Sequence, residues 1–210
     1  MKNPTLDILT AVDAIVAEAR KSHEDIPEKL VVVMDSGKRR SSMVHGHFAR
    51  LSWHDDFSEI KLGTESLARG AVPTLGTVLH ELSHAVAFSR GVQDTSNKGR
   101  YHNSKFREIA NELGINVEQD GTIGWSKTSV PEETQQKYSF LIEDLEKAIT
   151  TYREGYQAVE KTGTTGRTRT VTKMHCQCPD SELSINIKWW DNFGRFGTCG
   201  VCLASYELAD

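Results

Sequence analysis

The sequence predicts an α+β chain in which a small sheet sits beside one amphipathic helix, with a short cysteine-bearing unit at the C-terminal end. Three observations carry this. Apolar residues recur at helical spacing in the stretches beginning at Leu6, Leu75 and Leu141. Brief β-branched or alternating runs around Leu30–Met34, Met43–His54 and Glu59–Leu62 have the composition of strands. All four cysteines fall after His175, as two close pairs. The expected organisation is a body over 1–155, a linker over 156–170 and a metal-stapled unit over 171–210.

Composition narrows the classes. The chain has 210 residues, 38% hydrophobic and 26% charged, which suits a globular protein of one moderate domain and an appendage. A net charge of −4 gives no global attraction to nucleic acid, so any such binding must be local. No run of about eighteen apolar residues exists to span a membrane. The start, Met1-Lys2-Asn3-Pro4-Thr5-Leu6-Asp7, lacks the apolar centre of a signal peptide. A cytoplasmic, reducing location is therefore expected, where clustered cysteines serve as metal ligands more readily than as disulfides.

Asn3 is placed to cap a first helix with Pro4 in its first turn, and an apolar stripe (Leu6, Leu9, Val12, Ile15, Val16, Ala19) runs on to about Arg20. Leu30–Met34 is a buried strand. Asp35–Ser42 is a polar turn whose Lys38, Arg39 and Arg40 are a solvated loop or a phosphate contact. Met43–His54 is a second strand; its His45, His47 and His54 fit one solvated face better than a ligand set. Glu59–Leu62 is a third strand, and Thr64–Arg69 a helical turn.

Thr74 to Gly91 is the next helix, with Thr74 as its expected N-cap and Gly91 as its stop. It carries His80-Glu81-Leu82-Ser83-His84. Two histidines four apart lie one turn apart on one face, about 6 Å along the axis, so both imidazoles can reach one ion. Glu81 is placed beside them to take a proton from water. A catalytic zinc keeps three protein ligands and one open position. After a polar loop (Gln93–Gly99), His102 is the next histidine, at the mouth of a helix running from about Ser104 to Leu113. Glu108 and Glu112 are its rivals, on the exposed side of that helix.

His80-Glu81-Leu82-Ser83-His84 followed by His102-Asn103-Ser104-Lys105-Phe106 resembles the SprT-like family of zinc metallopeptidases. In that family a histidine shortly before a phenylalanine-containing helix is the third ligand, which implies His102. The resemblance further implies a compact zincin-like core, cleavage of protein substrates, including proteins crosslinked to DNA, and a C-terminal zinc ribbon. Asn103-Ser104 stands where the family often has Gly-Pro or similar small residues, a departure that removes no ligand.

Leu113–Lys127 reads as irregular, with Trp125 a packing residue. Pro131 starts a long helix to about Glu154, with Glu132 and Glu133 favourable to its dipole; it is expected to cover the core. Lys161–Arg169 is polar and carries three cations and no carboxylate, the mark of a linker or of a phosphate-backbone contact. Cys176, Cys178, Cys199 and Cys202 form two knuckles that can hold a structural zinc, with His175 as an alternative to Cys176. A strand over Leu183–Trp190 lies between them. Trp189, Trp190, Phe193 and Phe196, beside Lys188 and Arg195, suit either packing of the ribbon or stacking on unpaired bases.

The expected function is a zinc-dependent metalloendopeptidase with two zinc ions. One is catalytic (His80, His84, His102, with Glu81 as general base) and one structural (Cys176, Cys178, Cys199, Cys202). Its partners would be protein substrates and single-stranded DNA or DNA-bound proteins, with no membrane. Two alternatives stand beside it. One is a catalytically idle zinc-binding adaptor for DNA or protein, which has no need of Glu81. The other is a protease without a nucleic-acid role, which the net charge favours.

Overall fold

The computed structural model describes residues 3–37, 43–154, 171–179, 183–186 and 197–208. Lys38, Arg39 and Arg40, the linker cations, and the ribbon residues Lys188, Trp189, Trp190, Phe193, Arg195 and Phe196 lie outside the described residues. The chain divides into two compact units, 1–157 and 158–210. The architecture is α+β, and no helix among the described residues is long and apolar enough to cross a membrane.

Unit 1 opens with α1 (Pro4–Arg20), where Asn3 Oδ1 accepts the Thr5 N–H at 3.1 Å as the N-cap. Its stripe of Ile8, Val12, Ile15, Val16 and Ala19 is buried. Strands β1 (Leu30–Asp35), β2 (Gly46–Ala49) and β3 (Ser58–Gly63) form a sheet in the order β1-β3-β2. β1 runs parallel to β3 with Val32 opposite Ile60, and β2 runs antiparallel with Phe48 opposite Ile60. The second strand is shorter than Met43–His54. Leu51 has φ +44, and His54–Asp56 is a 3-10 turn containing Asp55 at φ +59, so the extended backbone stops after Ala49.

A 3-10 turn (Thr64–Arg69) leads into α2 (Ala71–Ser89), which carries the histidine pair. This helix begins three residues before Thr74. Gly70 occupies the cap position without a side chain, and the Ala71 N–H is taken instead by Glu146 Oε2, 3.0 Å away. Pro73 sits within the first turn, where its missing N–H leaves no helical bond unmade. Leu75, Val78, Leu79, Leu82 and Val86 are fully buried. At the C-terminal end Arg90 bridges Asp25 and Glu112, at 2.5 and 2.7 Å, tying α2 to the segment after α1 and to α3. Gly91 follows at φ +63 and ends the helix as expected.

The polar loop contains a two-residue strand, β4 (Thr95–Ser96), paired with β5 (Tyr101–His102). Next comes α3 (Ser104–Glu112), capped by Asn103 Oδ1 on the Lys105 and Phe106 N–H groups. The segment that reads as irregular is in fact a hairpin, β6 (Asn116–Asp120) with β7 (Gly124–Ser129), in a sheet ordered β4-β5-β7-β6. Asp120 Oδ1 organises its turn by accepting from the N–H and hydroxyl of Thr122. Of the β6 side chains only Val117 is buried, so the strand shows no apolar alternation to read. Trp125 is half-buried, with the Arg107 guanidinium 4.4 Å from its ring centroid.

The expected long helix is two helices, α4 (Glu132–Lys137) and α5 (Ser139–Ala148). The break is at Tyr138, which leaves helical geometry (φ −100, ψ 14) with its ring 2% exposed. Leu145 and Ala148 are buried as α5 packs on α1 and α2. The helix ends at Ala148, before the β-branched pair Thr150-Thr151.

The described residues of unit 2 include an antiparallel sheet of β8 (Val171–His175), β9 (Leu183–Asn186) and β10 (Glu207–Leu208), in the order β10-β8-β9. The predicted strand from Leu183 is described as far as Asn186.

Removing the cap that Glu146 supplies to α2 should cost about 1 kcal/mol. Glu146→Ala is therefore expected to lower Tm by roughly 2–4 °C, read by thermal unfolding; an unchanged Tm would show that the bond carries no stability.

Candidate metal centre

α2 presents His80 and His84 one turn apart, and β5 brings His102 to the same point. One ring nitrogen from each of the three lies within 4.8 Å of the others. The third member arrives through a close backbone approach. His102 N–H donates to Ile123 O at 3.0 Å, and His102 pairs in parallel register with Gly124. A Cβ at Gly124 would stand 2.1 Å from His102 O, and Gly124 has φ +73, so a side chain there would push β7 off β5. Beneath the imidazoles lies Phe106, fully buried, with ring centroids 4.6, 4.6 and 4.5 Å from His80, His84 and His102. The rivals Glu108 and Glu112 are exposed, and Glu112 is engaged by Arg90.

Each imidazole is held through Nδ1 by a group outside the histidine set. His80 Nδ1 meets Thr128 Oγ1 at 2.9 Å, His84 Nδ1 meets Asp94 Oδ2 at 2.5 Å, and His102 Nδ1 meets Ile123 O at 3.1 Å. A carbonyl can only accept, so His102 carries its proton on Nδ1 and leaves Nε2 as a lone pair. At His84 the group facing Nδ1 is the Asp94 carboxylate. The two Nε2 atoms face each other across 3.2 Å. That is close to the nitrogen separation, about 3.4 Å, of two ligands on a tetrahedral ion with bonds of about 2.05 Å. Burial holds the His80 pKa well below its ordinary value and lowers that of His102, favouring the neutral ligand form. The donor set therefore fits a cation, and three nitrogens suit zinc.

Glu81 is 6% exposed on the same helix, and burial pushes its carboxyl up to about 7, against the opposing pull of His84 and the Phe48 amide. Its carboxylate lies against β2: a Cβ on Gly46 would meet Glu81 Oε1 at 2.6 Å and Thr77 Cγ2 at 2.7 Å. Histidines, Glu81 and β2 line one open cleft of about 960 Å³, whose opposite wall is the 91–99 segment. β2 is the outer strand in the order β1-β3-β2, and its Gly46, His47 and Phe48 border this cleft. Of the other histidines, His47 lines the cleft, His45 is partly buried with burial pushing its pKa down to about 4, and His54 lies 3.0 Å from the Asp55 carboxylate. Neither His45 nor His54 joins the cluster.

Reading the sequence misses Asp94, Thr128 and the Ile123 carbonyl. Asp94 lies in a stretch that reads as a polar loop, and its one signal is a carboxylate ten residues beyond His84.

In unit 2 the sulfurs of Cys176, Cys178, Cys199 and Cys202 come within 4.8 Å of one another, and none is in a disulfide. Main-chain N–H groups point at the sulfurs: Cys178 N lies 3.5 Å from Cys176 Sγ, and Val201 N 3.4 Å from Cys199 Sγ. The amides of Cys202 and Val201 pull the Cys199 thiol down to about 6, while crowding by the Cys202 and Cys176 thiols pushes Cys178 up to about 12. Four thiols so placed resist ionising together and fit a cation that would neutralise them. His175 is not part of this group.

No family model, curated protein or solved structure matches the chain.

Cys199→Ser should remove one metal ion per chain while the histidine centre keeps its own, as read by elemental analysis after dialysis; full metal content in this variant would rule out the four-sulfur site.

Proposed function

We propose that unit 1 is a zinc-dependent peptidase of the SprT-like kind and that unit 2 is its zinc-stapled ribbon. The observation that carries the reading is the pairing of three converging imidazoles with a buried carboxylate, in a cleft lined by the outer strand β2. His80, His84 and His102 would hold the ion. When bound, zinc there would polarise the scissile carbonyl and acidify water.

The chain's own residues do the rest. An extended substrate lies along the outer strand β2 with main-chain hydrogen bonds, which sets the scissile bond against the histidines. Glu81 takes the proton of the attacking water and returns it to the leaving amine. Gly46 lets β2 lie close enough to Glu81 for substrate and base to share one site.

Protein substrates associated with or crosslinked to DNA follow from the family resemblance. The net charge of −4 favours the second reading, a peptidase that acts without nucleic acid. Incubation with a DNA-bound basic protein, with and without single-stranded DNA, separates the two. Cleavage only with DNA supports the first, and equal cleavage without it the second.

Glu81→Gln should keep its metal and lose about 10²–10⁴ in turnover; retained turnover would overturn the mechanism. Gly46→Ala should leave metal content unaltered and cut turnover by at least about tenfold, because a displacement of ångström size misaligns the reacting groups. Wild-type rates in that variant would show that the close approach of β2 has no part in the reaction.

A further inference from the structure

The His84–His102 pair can close in two ways. With the His84 proton on Nε2, the facing nitrogens make an N–H···N hydrogen bond across their 3.2 Å gap and the pair satisfies itself without an ion. With the proton on Nδ1, two lone pairs face each other and a cation is needed between them. What decides is the group at His84 Nδ1, and that group is Asp94. Thr128 and Ile123, which anchor the other two imidazoles, are neutral. The His84 and Asp94 side chains are only 15% and 13% exposed, so water screens their contact little.

The segment that carries Asp94 also holds His102. Thr95 pairs with His102, Asn103 N–H donates to Asp94 O at 3.0 Å, and Asn103 Nδ2 donates to Gln93 O at 2.8 Å. One short stretch thus fixes the orientation of one ligand and the position of another.

We infer that Asp94 is a positioning residue of the histidine centre, which locks neutral His84 in the Nδ1–H tautomer and so denies the neutral His84–His102 pair its self-bonded state. The inference rests on the reading of the three histidines as a metal centre. Removing a partner of this kind from a ligating histidine weakens metal binding by about 10–100-fold. An asparagine offers Nδ1 either an oxygen or an amide N–H, so it sets no tautomer.

The test is a cobalt(II) titration of the full chain as wild type, Asp94→Asn and Asp94→Glu. The visible bands of the nitrogen site are read apart from the thiolate charge-transfer bands of the four cysteines. In parallel, histidine-labelled metal-free protein reports the His84 tautomer by nitrogen–proton correlation NMR, and thermal unfolding with chelator reports the fold. Asp94→Asn should lose about 10–100-fold in affinity at the nitrogen site and move its His84 proton toward Nε2. Its metal-free Tm should match that of the wild type, and Asp94→Glu should recover part of the affinity. Unchanged affinity in Asp94→Asn, a wild-type His84 already protonated on Nε2, or an affinity loss that only follows a lower metal-free Tm would each overturn the inference. A wild type that takes up no cobalt at this site would sink the peptidase reading instead, and the tautomer spectrum alone would then decide for or against Asp94.

Discussion

Three imidazoles brought to one point, two of them with ring nitrogens 3.2 Å apart, are the constraint on which the candidate site in unit 1 depends. Each ring is held from more than one side. Phe106 blocks collapse from below, while Thr128, Asp94 and the Ile123 carbonyl hold the rings from outside. The supports reach further out. Glu146 fixes one end of α2, Arg90 ties the other to two neighbouring segments, and both histidines of that helix inherit its rigidity. Leu75, Leu79 and Leu82 are fully buried, so α2 is set in a close-packed core.

The parts of this centre legible in the sequence are those that helical spacing dictates. His80, Glu81 and His84 lie within five residues, and their relation follows from 3.6 residues per turn. His102 is identifiable as the next histidine before a capped helix, but its meeting with the pair depends on Gly124, a contact made across the second sheet. Asp94, Thr128 and Ile123 act through contacts 10, 48 and 21 residues distant in sequence, one of them a main-chain carbonyl that no side-chain pattern encodes.

The same division holds for the fold. α1, β1, β3 and α3 are strongly patterned and appear where their patterns place them. The β6–β7 hairpin hides because both faces of β6 are largely solvated, leaving only Val117 buried. The start of α2 is displaced because its cap comes from Glu146 on another helix, a tertiary substitute for the local residue that Thr74 would have been. The break at Tyr138 reflects a burial that a single straight helix does not supply.

The outer strand of a sheet is also a hazard, because it can template pairing with any extended chain, including another copy of this one. β2 limits that exposure by its length. It offers four residues, Gly46–Ala49, before Leu51 turns into the left-handed region and the backbone ceases to be a ladder. Arg50 adds a charge at the boundary, bordering the cleft. Four residues are too few to build a stable intermolecular sheet, since even an isolated hairpin is marginal in water. Pairing along so short a strand needs additional contacts, such as those a chain lying in the cleft would make, and self-association through it gains little.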